Sequence, residues 1–125
     1  MNAHQSKINS VLSAIGFQSL NPLQEETLEK SVTSKNVLIL SQTGSGKTFA
    51  FLLPLFLNLD PEAKHIQALV LAPSRELALQ IEDVWRSMKT NFKVLSCYGG
   101  HSISTEKKCL TEAPAILIGT PGRIC

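Results

Sequence analysis

Four short apolar runs constrain this chain more than any other feature: Asn36-Val-Leu-Ile-Leu-Ser41, Ala68-Leu-Val-Leu-Ala72, Val94-Leu-Ser-Cys-Tyr98 and Ala115-Ile-Leu-Ile-Gly119. Each is short, nearly continuous in its hydrophobicity and bounded by polar or turn residues, which is the pattern of a strand covered on both faces. Stretches with helical character lie between them. Ile8, Val11, Leu12 and Ile15 recur at helical spacing, with Ser6 as a cap and Gly16 as a stop, and predict a helix over about 7–15. Asn21 before Pro22, followed by Glu25 and Glu26, opens a second helix that runs to about Lys35. Further helices are predicted over about 47–58, 75–90 and 104–111. Strands alternating with helices imply crossover connections and a parallel β-sheet flanked by helices. The fold class is therefore α/β.

A chain of 125 residues with 43% hydrophobic and 18% charged residues has the composition of one ordinary globular domain and excludes a disordered polymer. The longest apolar run, Phe49–Leu57, is broken by Pro54 and is too short to cross a bilayer, so no membrane association is expected. The first residues lack a basic stretch leading into an apolar one, and a cytoplasmic location is the expectation. Cys97, Cys109 and Cys125 have no metal-ligand spacing and read as reduced thiols. A formal charge of +2 neither requires nor excludes a nucleic-acid partner. Local placement has to decide that point.

In open parallel sheets, ligands bind outside the carboxyl ends of the strands. Here the connections at those ends begin at Gln42, Pro73, Gly99 and Thr120, and they are expected to converge on one rim. The first, Ser41-Gln-Thr-Gly-Ser-Gly-Lys-Thr48, leads into an apolar helix. Gly44 and Gly46 let the backbone curl so that successive N–H groups point inward at the positive end of that helix. A nucleoside triphosphate suits such a cradle, built by Gln42, Thr43, Gly44, Ser45 and Gly46. Lys47 would reach the β- and γ-phosphates, and the Thr48 hydroxyl would hold Mg²⁺. Ser41 stands where the strict phosphate-loop pattern asks for glycine. The bland alternative is a tight strand-to-helix turn with a solvated lysine.

Taken with that loop, the remaining connections make the chain resemble the DEAD-box ATP-dependent RNA helicases of superfamily 2. Gly16-Phe-Gln-Ser-Leu-Asn-Pro-Leu-Gln24 is similar to the family's Q motif, and Pro73-Ser-Arg-Glu-Leu77 to its motif Ia. Gly99-Gly100 resembles its GG motif and Thr120-Pro-Gly-Arg123 its motif Ib. The resemblance implies the front part of the first RecA-like domain of a P-loop NTPase, with a helical Q-motif region over 1–35 and a partial ATP-binding domain over 36–125. Leu20 departs from a proline usual in the Q motif, and Ser74 from a threonine usual in motif Ia.

The family's roles can be given physical sense on these residues. The carboxamide of Gln24 offers one donor face and one acceptor face, which suit adenine and not guanine, and the resemblance places Phe17 against the base. Pro73, Ser74, Arg75, Gly99, Gly100, Thr120, Pro121, Gly122 and Arg123 are implied to follow an RNA backbone through phosphate contacts, without reading sequence. Taken singly, each residue has a structural alternative: a cap, a turn, an ion pair, or, for His101, solvated loop. Lys47 and Thr48 are the catalytic candidates, with ATP and Mg²⁺ as cofactors and RNA as partner.

The acidic motif and the second RecA-like domain of the family are not in this sequence, so residues 1–125 alone are expected to hydrolyse nothing. Asp60 and Asp83 lie in a linker-like stretch and mid-helix. The strand before the phosphate loop is expected to lack neighbours, leaving the isolated stretch marginally stable or self-associating. The competing readings are another P-loop enzyme (a DNA helicase or a nucleotide or small-molecule kinase) and a non-catalytic nucleotide- or RNA-binding module.

Overall fold

The computed structural model describes residues 3–42, 44, 46–97 and 113–124. The order is α1 (Ala3–Ile15), α2 (Pro22–Thr33), α3 (Lys47–Leu57), β1 (Ala68–Leu71), α4 (Arg75–Ser87), β2 (Val94–Cys97), β3 (Ile116–Gly119) and a short α5 (Pro121–Ile124). The chain divides into two compact units, residues 1–58 with 84–90, and residues 59–83 with 91–125.

The core of the first unit is α3. Its sequence, Lys-Thr-Phe-Ala-Phe-Leu-Leu-Pro-Leu-Phe-Leu, is apolar on almost every side, and Phe49, Ala50, Leu52, Leu53, Phe56 and Leu57 are all buried. Both α1 and α2 pack against it. From α1 come Ile8, Val11 and Leu12, three of the residues whose spacing predicted that helix. Trp85 and Met88 are buried in the same unit, the indole edge-on to Phe56 with ring centroids 6.2 Å apart.

Helix boundaries follow local chemistry. α1 begins a turn earlier than the periodicity suggests, with Ser6 inside it, and the Gln5 side chain donates to Asn9 Oδ1 one turn on at 3.0 Å. Its end is where Gly16 predicts: at φ +93° the glycine turns the chain, and the N–H groups of Gly16 and Phe17 both reach the Leu12 carbonyl at 2.9 Å. α4 ends three residues before the expected Thr90. Lys89 (φ 52°) and Asn91 (φ 68°) adopt left-handed backbone, which no α-helix continues through.

In the second unit the sheet has three parallel strands in the order β1-β3-β2. Ile116 and Ile118 of the central strand are fully buried, and Val70, Ala72, Ala78, Ile81, Val94 and Cys97 complete the apolar interior. Cys97 is buried and takes part in no disulfide. The buried Ser96 hydroxyl donates to the Glu82 carboxylate at 2.9 Å, which joins β2 to α4. The stretch read as linker-like is closed: Gln67 accepts from the Asp60 N–H at 2.7 Å and donates to the Asp60 carbonyl at 3.0 Å.

One expected strand is not formed. Residues 36–41 belong to no ladder, and Val37, Leu38 and Leu40 are 42%, 83% and 83% exposed. A strand is held by the backbone beside it, and among the described residues none pairs with this run, so apolar content alone does not make it one. Among the described residues, three strands rather than four carry the α/β architecture, a parallel sheet with helices as the sequence predicts. The helix expected over 104–111 lies outside the described residues.

Candidate functional site

The loop read as a phosphate cradle leads into α3. Gly44 (φ +85°) and Gly46 (φ +84°) both hold left-handed backbone, and Gly46 is the residue that starts the helix. The first helical bond runs from the Ala50 N–H to the Gly46 carbonyl at 3.0 Å. Among the described residues no side chain caps this end of α3. Helix geometry therefore leaves the first N–H groups, from Lys47 onward, without intrahelical acceptors, which is the arrangement that receives an anion. Lys47 folds back so that its ammonium donates to the Ser41 carbonyl at 2.9 Å. Lys47 and Thr48 are half-buried, and Gln42 is exposed. Thr43 and Ser45 lie outside the described residues.

Against this loop sits the amino-terminal end of α2. Asn21 is its N-cap, in extended backbone at φ −80° and ψ 169°. The Gln24 N–H donates to Asn21 Oδ1 at 2.9 Å, and the Asn21 N–H donates to Gln24 Oε1 at 2.9 Å, forming a reciprocal capping box. The remaining end of the Gln24 carboxamide, Nε2, donates to the Gly46 carbonyl in a long contact of 3.4 Å. Gln24 is only 4% exposed. A Cβ at Gly46 would lie 2.7 Å from Gln24 Nε2 and 3.0 Å from Asn21 Nδ2, so those side-chain ends would have to give way. Glycine is favoured there by the backbone angle, and the carboxamide ends beside it would have to shift for a side chain.

Phe17 emerges from the turn that Gly16 makes. It is 47% exposed and meets buried Phe49 of α3 edge-on, with ring centroids 6.0 Å apart. Phe17, Gln24 and Gly46 are therefore all tied to the first two turns of α3 or the loop before it. Asn21 and Phe49 were not among the expected site residues. The Asn-x-x-Gln spacing of a capping box was the signal for Asn21; nothing in the sequence singles out Phe49 from its apolar neighbours.

In the second unit, the register sets Leu71, Gly119 and Cys97 side by side at the carboxyl ends of the parallel strands. Backbone bonds extend past them, from the Ala72 N–H to the Gly119 carbonyl at 2.9 Å and from the Thr120 N–H to the Cys97 carbonyl at 3.1 Å. The connections that follow β1 and β3 leave from this edge. Ser74 caps α4, its Oγ accepting from the Leu77 N–H at 3.2 Å, and Pro73 and Arg75 are exposed beside it. Thr120 is half-buried ahead of α5, and Pro121 and Gly122 are exposed in that helix, where a loop was expected. Proline at the first helical position favours the turn. Arg123 falls within α5. Gly99 and Gly100, with His101, lie outside the described residues.

Comparison with known proteins agrees with this geometry. A family model described as DEAD/DEAH box helicase matches residues 21–125. The chain is 40% identical over 123 residues to the ATP-dependent RNA helicase DeaD of Escherichia coli K12, covering 96% of this chain and 20% of that protein. It is 39% identical over 121 residues to the DEAD-box ATP-dependent RNA helicase CshA of Bacillus subtilis 168, covering 95% of this chain and 24% of that one. The chain thus spans about a fifth to a quarter of these curated relatives. Among solved structures, a hypothetical ATP-dependent RNA helicase from Sulfolobus tokodaii superposes with a TM-score of 0.80 at 30% identity, over 99% of this chain and 35% of that one. The DEAD-box helicase Mss116 bound to single-stranded RNA and UDP-BeF gives 0.83 at 31% identity, over 94% and 26%. With a RecA-like parallel sheet, two left-handed glycines in the loop before α3 and a family match over most of its length, the chain belongs to the DEAD/DEAH box helicase family.

Proposed function

We propose that the protein is an ATP-dependent RNA helicase, in which residues 1–125 supply adenine recognition, the grip on the triphosphate and part of the track for the RNA backbone. The single observation that carries this reading is the contact of Gln24 with Gly46, which brings a base-reading carboxamide against the phosphate loop. The relatives named as RNA helicases, and the solved helicase bound to single-stranded RNA and UDP-BeF, support it.

The chain's own residues act by position. Gly44 and Gly46 shape the backbone around the β- and γ-phosphates, and the Lys47 ammonium, held at the loop by the Ser41 carbonyl, transfers its donors to them. The Thr48 hydroxyl, one residue into α3, is the group that would hold Mg²⁺, which neutralises charge on the phosphates when bound. Gln24 reads the adenine edge and the exposed Phe17 lies along the base, its edge against Phe49 fixing its tilt. Asp60 closes its own loop and Asp83 lies exposed on α4, so neither takes a role in hydrolysis.

For RNA, the Ser74-capped start of α4 with Arg75, and the Thr120–Arg123 turn, form neighbouring phosphate contacts at the edge shared by β1 and β3; Gly99 and Gly100 are assigned the same role. Such contacts are indifferent to sequence and sensitive to salt. The test is ATP hydrolysis by the intact protein with single-stranded RNA, single-stranded DNA or neither. RNA stimulation supports the proposal; equal stimulation by DNA points to a DNA helicase, and none to a different phosphate-loop enzyme.

A further inference from the structure

We infer that the groove between α1 and α2 is a docking surface for a basic amphipathic helix of a partner protein. Both helices pack on α3 but scarcely meet each other, and the trough left between them has a volume of about 440 Å³.

Four residues of α2 set its chemistry. Glu25, Leu28, Glu29 and Val32 follow one another at helical spacing, so they form one stripe, and all four line the groove. A stripe that served only the core would be apolar throughout. This one mixes carboxylates with apolar side chains: Leu28 is half-buried, Val32 is 77% exposed and both glutamates are exposed. Leu12 of α1 and Leu20 of the turn between the helices continue the apolar floor.

The carboxylates give the groove its sign. Glu25 and Glu29 are four residues apart, and like charges at that spacing repel. Glu25 lies in the first turn, where the helix dipole favours negative charge; Glu29 lies beyond it and has no such compensation. On the opposite wall Gln5 and Asn9 are neutral and bonded to each other at 3.0 Å, and among the described residues no lysine or arginine lines the groove. An apolar floor with an uncompensated negative wall fits a helix that carries leucine-like side chains on one stripe and lysine or arginine beside it. The apolar side chains leave water for the floor, and the cations relieve the repulsion between the glutamates. A second copy of the chain docking through this same face would instead set carboxylates against carboxylates.

The test is fluorescence anisotropy of a labelled helical peptide, with leucines at steps of three and four and lysines flanking them, titrated with the intact protein. Two control peptides carry glutamate for every lysine or serine for every leucine. The protein variants are Glu25→Lys with Glu29→Lys, and Val32→Ser, all at exposed positions, with unfolding midpoints measured alongside. The expected result is saturable binding of the leucine-lysine peptide that weakens with added salt, falls about tenfold in the double charge reversal and about threefold in Val32→Ser, and is lost with either control peptide. Absence of saturable binding, equal binding of the glutamate peptide, or an affinity unchanged in either variant overturns the inference. So does a dimer of the peptide-free protein that Val32→Ser dissociates in sedimentation, since a second copy would then fill the groove. If the double variant does not fold, Glu29→Gln decides by the same criterion.

Discussion

The Lys47 ammonium donates to the Ser41 carbonyl across the mouth of the phosphate loop, at 2.9 Å. The acceptor is the main-chain carbonyl, which any residue at position 41 would supply. This explains how serine stands where the strict loop pattern asks for glycine. Ser41→Gly should leave nucleotide affinity within about twofold of the starting protein, because the carbonyl is retained and changes remote from a contact are near neutral. A large loss on titrating ATP into that variant would mean that the hydroxyl is used.

The two left-handed glycines of the loop should respond differently to alanine. At Gly44 nothing among the described residues lies within 4 Å of a new Cβ, so Gly44→Ala should carry mainly the left-handed backbone penalty of about 1–2 kcal/mol. At Gly46 the same penalty is joined by a clash with Gln24 and Asn21, which must move. Urea unfolding should rank Gly46→Ala as the less stable of the two, and Gly46→Ala alone should also disturb ATP-over-GTP preference. Equal loss in both variants would show that the carboxamides yield freely.

Ser74 and Arg75 separate a structural role from a binding one. Ser74→Ala removes a cap and should cost about 1 kcal/mol of stability. Arg75→Ala should leave stability nearly unchanged, weaken RNA binding alike across sequences and reduce the slope of log affinity against log salt by about 1. Filter binding at several salt concentrations with two unrelated RNA sequences checks this, and an effect confined to one sequence would contradict it.

Trp85 is 2% exposed and packs edge-on to Phe56. Trp85→Ala should destabilise the protein by about 3–5 kcal/mol. Leu38→Ser, at a residue 83% exposed, should change the stability of the 125-residue chain by no more than about 0.5 kcal/mol. Chemical denaturation of both variants tests the contrast.

Much of this was legible in the sequence because it is local. Helical spacing in α1, the Asn21-Pro22 start of α2, the glycine stop at Gly16 and the Ser74 cap each depend on residues a few places apart, and all are found. The left-handed glycines before α3 were legible for the same reason. The run 36–41 was misread because a strand is decided by its neighbours, and Leu38 and Leu40 carry no information about whether any exist. The contact of Gln24 with Gly46 spans 22 positions, so composition and spacing could not reveal it. The expected rim is found in the second unit for the connections after β1 and β3.

Titration of ATP into the intact protein and its Lys47→Ala variant, with Mg²⁺ present, tests the central claim most directly. If residues 41–48 grip the triphosphate, the variant should lose about tenfold to a hundredfold in affinity, the loss of a charged hydrogen bond, while its unfolding midpoint stays close to that of the starting protein. Unchanged ATP affinity in a folded Lys47→Ala protein would contradict the account.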